Sequence, residues 1–105
     1  MNRDKYQTLT MTWNSIAMTI NYCESWMTWL SDEEKADYMA HIEILRDDKK
    51  QLPMTETGYR SHFIRKAVVD NSGGVLDYVK AWLDHEGQSK QWKNYVASEA
   101  QLKLF

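Results

Sequence analysis

The sequence predicts an all-α fold, a single compact domain of about five helices with a long central N-terminal helix and an extended C-terminal tail. Apolar residues recur at spacings of three and four through most of the chain, and turn residues divide it into helix-sized segments. No convincing alternating strand pattern is evident. With 105 residues, 43% of them hydrophobic and 27% charged, the chain has the size of one globular domain. We assign residues 1–100 to the helical domain and residues 101–105 to the tail.

The first predicted helix covers residues 6–30, which contain one charged residue, Glu24. Its two opposed apolar stripes predict either a helix at the centre of its own fold or one shared with a second subunit in a homodimer. Many threonines lower the helix propensity of this segment, so tertiary burial has to hold it helical. The main stripe alternates steps of four and three and consists of Leu9, Trp13, Ile16, Ile20, Cys23, Met27 and Leu30, and the opposite stripe of Met11, Met18, Tyr22 and Trp29.

The second predicted helix begins at a capping-box pattern, in which Ser31 is the N-cap and Glu34 lies three residues later. It runs to about Lys50 and ends before Pro53, the only proline. The other three helices are predicted over residues 59–70, 75–86 and 90–100, with a break at 71–74, Gly87 as a C-cap and Ser89 as an N-cap.

The last five residues interrupt the helical spacing. Leu102 and Leu104 alternate as side chains do along an extended strand, and Phe105 is the last residue. Chain ends are usually exposed, so two leucines and a phenylalanine at this position need an explanation. One explanation is that the tail folds back and fills a gap in its own core, and the other is that it binds a partner.

The segment Gln101-Leu102-Lys103-Leu104-Phe105 resembles the Gln-Leu-x-Leu-Phe peptide by which many bacterial replication and repair proteins dock on the β sliding clamp. The resemblance covers five residues and matches at all four specified positions. It implies that the Gln101 amide orients the peptide, that Leu102, Leu104 and Phe105 are apolar anchors, and that Lys103 faces solvent. The implied function is a non-enzymatic bacterial, phage or plasmid protein that binds the clamp as a recruiter or as an inhibitor.

The body of the chain also carries a resemblance. The stretch 57–63, followed by Gly73-Gly74 and the run 81–84, resembles small uncharacterised proteins of bacterial plasmids and phages. This implies an origin in bacteria or their mobile elements, and it implies no activity.

A rival function rests on residues 49–66, where five basic residues accompany a single acid, Glu56. Basic residues interleaved with aromatic rings are typical of a phosphate- or single-strand-binding surface, although a solvated helix face has the same composition. The preceding residues 31–48 are strongly acidic, so a further alternative is a phage counter-defence protein that binds a host complex. The candidate nucleic-acid contacts are Lys49, Lys50, Tyr59, Arg60, His62, Arg65 and Lys66.

Nothing in the sequence indicates an enzyme, a metal site or a cofactor. There is no phosphate-binding glycine loop and no dinucleotide fingerprint. His41, His62 and His85 match no zinc spacing, and Cys23 is the only cysteine. A lone cysteine, together with the absence of a signal segment or an apolar span, predicts a cytoplasmic protein that does not bind membranes.

Overall fold

The computed structural model describes residues 5–30 and 36–102, and within them the chain forms an antiparallel sheet followed by helices. The all-α prediction is therefore wrong. The sheet has the strand order β1-β2-β3-β4, so β1 and β4 are its edges. The elements are β1 (Gln7–Trp13), β2 (Ile16–Leu30), β3 (Ala36–Arg46), β4 (Tyr59–Arg65), α1 (Lys66–Asn71), α2 (Val75–Glu86) and α3 (Lys90–Leu102).

A β-hairpin takes the place of the predicted first helix. Strands β1 and β2 pair with Trp13 opposite Ile16, which leaves Asn14 and Ser15 as a two-residue turn. Both turn residues have positive φ angles, +48° and +67°, as a type I′ hairpin turn requires. The threonines that disfavour a helix are favourable in strands because their β-branched side chains fit a pleated surface. The helix through which we envisaged a homodimer does not form, and that interface is withdrawn.

The second and third predicted helices are also wrong over most of their length. Residues 36–46 form β3, in which buried Ala40, Ile42 and Ile44 alternate with residues of the other face. The predicted capping box at Ser31 lies outside the described residues. Residues 59–65 form β4, and only the end of the predicted third helix is helical, as α1.

The last two helices agree with the sequence prediction. Helix α2 has the predicted bounds and ends at Gly87. The Ser89 hydroxyl accepts a hydrogen bond from the Trp92 backbone N–H at 3.1 Å, as an N-cap of α3 does. Helix α3 continues to Leu102, so Gln101 and Leu102 are helical. The prediction that they are extended is wrong. None of the helices in the described ranges has the length and hydropathy needed to span a bilayer.

The helices cover one face of the sheet and leave the other face open. Val69 of α1, Val79 and Leu83 of α2 and Trp92 of α3 belong to the same buried cluster as the sheet residues. This burial is the main stabilising contribution to the fold, because apolar area is removed from water on both layers. The sheet residues in the cluster are Trp13, Met18, Ile20, Tyr22, Ala40, Ile42 and Ile44.

Tyr22 places a polar hydroxyl group within this apolar core. It is 8% exposed, its hydroxyl is buried, and no group in the described chain bonds that hydroxyl. Burial, followed by the charges of Asp70 and Glu24, raises the pKa of Tyr22 to about 12. A buried hydroxyl without a partner costs about 1–3 kcal/mol.

Replacing Tyr22 by phenylalanine is therefore expected to raise the free energy of unfolding by about 1 kcal/mol. The wild-type chain should also lose stability as the pH rises from about 10 to 12, because the unfolded tyrosine releases its proton near pH 10 and the folded one keeps it to about 12. Urea denaturation of both proteins at pH 7 and across this alkaline range measures both effects. Equal alkaline losses in the two proteins would contradict this account of Tyr22.

Candidate partner-binding surfaces

Helix α3 includes Gln101 and Leu102, the first two residues of the segment that resembles the clamp-binding peptide. Trp92, near the start of this helix, is its one buried residue in the described chain. Trp92 packs against Trp13 and Tyr95, with ring centroids 5.9 and 5.1 Å away. Gln101 and Leu102 are exposed, and the exposed fraction of Leu102 is 67%. Leu102 therefore does not fill the core, while Leu104 and Phe105 lie outside the described residues.

The residues predicted to contact nucleic acid do not share one surface. Lys49 and Lys50 lie in the loop after β3, and Lys66 begins α1. The other four candidates lie on β4, where successive side chains point to opposite faces of the sheet. Tyr59 and Arg65 are on the open face, and Arg60 and His62 are on the helix side. The nucleic-acid hypothesis stays a prediction, without a continuous basic patch in its support.

On the helix side, β4 forms an aromatic stack with α2. The His62 ring lies 4.4 Å from the Trp82 ring, and its Nε2 is 3.1 Å from the Tyr78 hydroxyl. The guanidinium of Arg60 lies over Trp82 at 5.7 Å, a cation–π contact. Burial, helped by the charges of Arg60 and His41, holds the pKa of His62 below its usual value. His62 is thus a packing residue and a poor cation for phosphate at neutral pH.

Two of the other basic candidates are engaged by acids of the same chain. The Lys66 Nζ lies 2.6 Å from a carboxylate oxygen of Asp70, and the Lys50 Nζ lies 3.6 Å from one of Glu99. The acidic helix of the counter-defence alternative does not form either. Its residues 36–46 are strand β3, and residues 31–35 lie outside the described chain.

A polar and aromatic cluster that we did not predict from the sequence lies on the open face. His41 of β3 is 4% exposed, and its two ring nitrogens are bonded to the Tyr6 hydroxyl at 2.5 Å and the Ser61 hydroxyl at 2.6 Å. The Phe63 ring stacks on His41 with centroids 4.3 Å apart and planes 14° from parallel. Trp26 completes the cluster, with its centroid 4.7 Å from that of Phe63.

A strand irregularity explains how Trp26 reaches this cluster. Cys23 pairs with His41 and Met27 with Met39, so four steps along β2 match two along β3. Such a bulge turns the local side chains out of the regular alternation. The alternation of residues along β4 was the sequence signal for the rest of the cluster, because it places Ser61 and Phe63 on one face. Their cross-strand partners Glu43 and His41 lie on the same face.

Comparison with known proteins identifies a family. No curated protein and no solved structure matches the chain. The family model of the KlcB third domain matches residues 6–92, which include the whole sheet, α1, α2 and the start of α3. The match agrees with the predicted plasmid or phage origin, and the segment 101–105 lies outside it. The chain belongs to the KlcB third-domain family, a plasmid-associated family.

Proposed function

We propose that this plasmid-associated protein binds the bacterial β sliding clamp through Gln101, Leu102, Leu104 and Phe105. The observation that carries the proposal is the exposure of Leu102, an apolar anchor of the clamp-binding pattern that the protein's own core does not use. A large apolar side chain that is left exposed is available to a partner. The rest of the domain, an antiparallel sheet with helices on one face, then acts as the carrier of the docking segment, either to bring a second partner to the clamp or to block its groove.

Docking requires the end of α3 to change conformation. A docking peptide of this pattern is expected to bind in an extended conformation, whereas Gln101 and Leu102 are helical in the free protein. Neither side chain is buried, so unwinding the last turn breaks no core contact. Helix ends also fray readily, because their last carbonyl groups lack partners within the helix. The bound segment can therefore become extended at small cost.

The three apolar anchors set the scale of the affinity. Burying Leu102, Leu104 and Phe105 contributes roughly 4.5–9 kcal/mol, at about 1.5–3 kcal/mol for each side chain. Ordering the segment offsets part of this. The expected dissociation constant for the isolated interaction is on the order of micromolar or weaker, since 1 μM corresponds to about −8 kcal/mol.

Replacing both Leu104 and Phe105 by alanine is expected to weaken clamp binding by about 100-fold or more, because two of three anchors are lost. Lys103→Ala is the matched control, since position 103 is unspecified in the pattern and should face solvent. Surface plasmon resonance with immobilised β clamp measures all three proteins. Equal binding by the double variant, or an equal loss in Lys103→Ala, would count against the proposal.

A further inference from the structure

Strand β4 is an edge of the sheet, and its hydrogen-bonding phase can be assigned. The Arg46 N–H donates to the Gly58 carbonyl at 2.8 Å, so even-numbered residues at this edge bond toward β3. On the other side of β3, the Asp47 N–H donates to the Ala17 carbonyl at 3.1 Å. Odd-numbered residues of β3 therefore bond β2 and even-numbered ones bond β4, which agrees with the first assignment. In an antiparallel ladder the intervening residues direct their N–H and C=O groups away from the partner strand. Ser61 and Phe63 therefore direct these groups outward.

The chain itself satisfies the outward groups at one end of β4. The Tyr59 carbonyl accepts hydrogen bonds from the Thr55 and Thr57 hydroxyls at 2.9 and 3.2 Å, and its N–H donates to the Thr57 hydroxyl at 3.4 Å. No such partner from the described residues reaches the outward backbone groups of Ser61 or Phe63. Both residues are exposed. Two N–H and two C=O groups are thus available for another strand.

The side chain of Phe63 provides a rigid apolar contact beside these groups. It is 46% exposed on the open face while its ring rests on His41 and Trp26. Hydrogen bonds to Tyr6 and Ser61 hold the His41 ring in place. An anchor that is already immobilised loses little conformational entropy when a partner packs on it.

The charge of β4 indicates whether its edge pairs with a second copy of this chain or with a strand from a different protein. The strand Tyr59–Arg65 carries Arg60 and Arg65 and no acid. Pairing β4 with β4 of a second copy would bring together two strands that each carry arginine and no acidic residue. An extended peptide with acidic side chains complements the same strand, because opposite charges on adjacent strands attract.

We propose that β4 binds an acidic, extended peptide of a partner protein, which adds to the sheet as a fifth strand through the outward backbone groups of Ser61 and Phe63. An apolar side chain of the peptide packs on Phe63 on the open face, and an acidic side chain faces Arg60 on the helix side. Main-chain hydrogen bonds supply affinity in this mode, and alternate side chains supply specificity. The site shares no residue with the segment 101–105, and the proposal does not depend on clamp binding.

The observations favour a peptide over a nucleic acid at this edge. A nucleic acid backbone cannot continue the ladder of amide and carbonyl groups. The open face beside β4 also carries the Glu43 carboxylate, which accepts a hydrogen bond from the Tyr59 hydroxyl at 2.9 Å. This carboxylate repels phosphate and acidic side chains alike, so the acids of the peptide belong on the helix side of the sheet, beside Arg60.

Proline substitution tests the outward N–H group. Ser61→Pro removes an N–H that β3 does not use, and we expect the sheet to form and peptide binding to fall at least 10-fold. Ser61→Ala keeps the N–H but loses the hydroxyl that bonds His41, and it should bind within about 2-fold of wild type. The control on the other edge is Thr10→Pro. Because Trp13 and Ile16 form the hydrogen-bonded pair at the turn, odd-numbered residues of β1 bond β2, and the Thr10 N–H points away from the sheet.

The probe is a phage-displayed library of random 12-residue peptides panned on the intact protein. We expect the recovered peptides to alternate apolar with acidic residues, to lose binding to Ser61→Pro and to keep binding to Thr10→Pro. The double variant that lacks Leu104 and Phe105 should bind them as the wild type does. Failure to enrich any peptide, enrichment of peptides without acids, or equal binding by Ser61→Pro overturns the proposal.

Amide hydrogen exchange gives a readout that does not depend on how well a variant folds. In the free wild-type protein the Ser61 and Phe63 amides should exchange rapidly, and a saturating selected peptide should slow both by at least 10-fold. Unchanged exchange at both amides overturns the proposal. A single-stranded oligothymidine that displaces the peptide from wild type and binds Ser61→Pro equally well also overturns it, and would assign this edge to nucleic acid.

Discussion

Replacing Leu83 by alanine is expected to lower the free energy of unfolding by about 2–5 kcal/mol. Leu83 lies near the C-terminal end of α2, is fully buried, and packs in the cluster that joins the helix layer to the sheet. Removing its branched end leaves a cavity between two rigid layers, and the surrounding side chains can close it only in part. For a domain of this size the loss would remove much of the total stability.

Leu102→Ala is the control for this prediction, because it makes the same chemical change in a helix where the side chain is 67% exposed. We expect its free energy of unfolding to stay within about 0.5 kcal/mol of wild type. Urea denaturation followed by circular dichroism measures all three proteins. Similar losses for the two variants would show that α2 does not pack on the sheet as described.

Replacing Gly58 by alanine is expected to cost about 3 kcal/mol or more, since two unfavourable effects add. The φ angle of Gly58 is +77°, a region that side-chain-bearing residues rarely adopt. A Cβ atom there would lie 2.5 Å from the Lys50 carbonyl oxygen and 3.0 Å from the Lys49 carbonyl carbon. Both are backbone atoms of the loop that leads from β3, so relieving the overlap requires the start of β4 to move.

Gly73→Ala provides the matched control. Gly73 also has a positive φ angle, +98°, and an added Cβ would also meet an atom at 2.5 Å. That atom is the Asp77 carboxylate oxygen, at the end of a side chain that can rotate away. We expect about 1–2 kcal/mol of destabilisation, from the backbone angle alone. Thermal melts of the two variants compare them, and an equal loss would contradict the claim that fixed backbone surrounds Gly58.

The helix predicted over the first third of the chain is wrong because the apolar residues of a hairpin can follow the spacing of a helix. The step of four from Leu9 to Trp13 keeps a residue on one face of a strand as well as of a helix. The step of three from Trp13 to Ile16 crosses the two-residue turn and lands on the directly paired position. The alternation of Leu9, Met11 and Trp13 with threonines was the better signal.

The helices were predictable where turn residues and capping residues bounded them. Gly73-Gly74 and Gly87 bound α2, and Ser89 caps the start of α3, so local chemistry determined those ends. The His41 cluster was not predictable in the same way. Its members come from four parts of the chain, and the sheet register and the bulge after Cys23 bring them together. Such contacts follow from tertiary pairing, which residue spacing along the chain does not encode.

The most direct test of clamp docking is a calorimetric titration of the intact protein into the β sliding clamp, with and without a saturating Gln-Leu-x-Leu-Phe peptide. The account predicts a dissociation constant on the order of micromolar or weaker, since three apolar anchors support at most about that affinity. It also predicts that the peptide abolishes the binding heat, because both ligands occupy the same groove. Absence of binding, or binding that persists at peptide saturation, would contradict it.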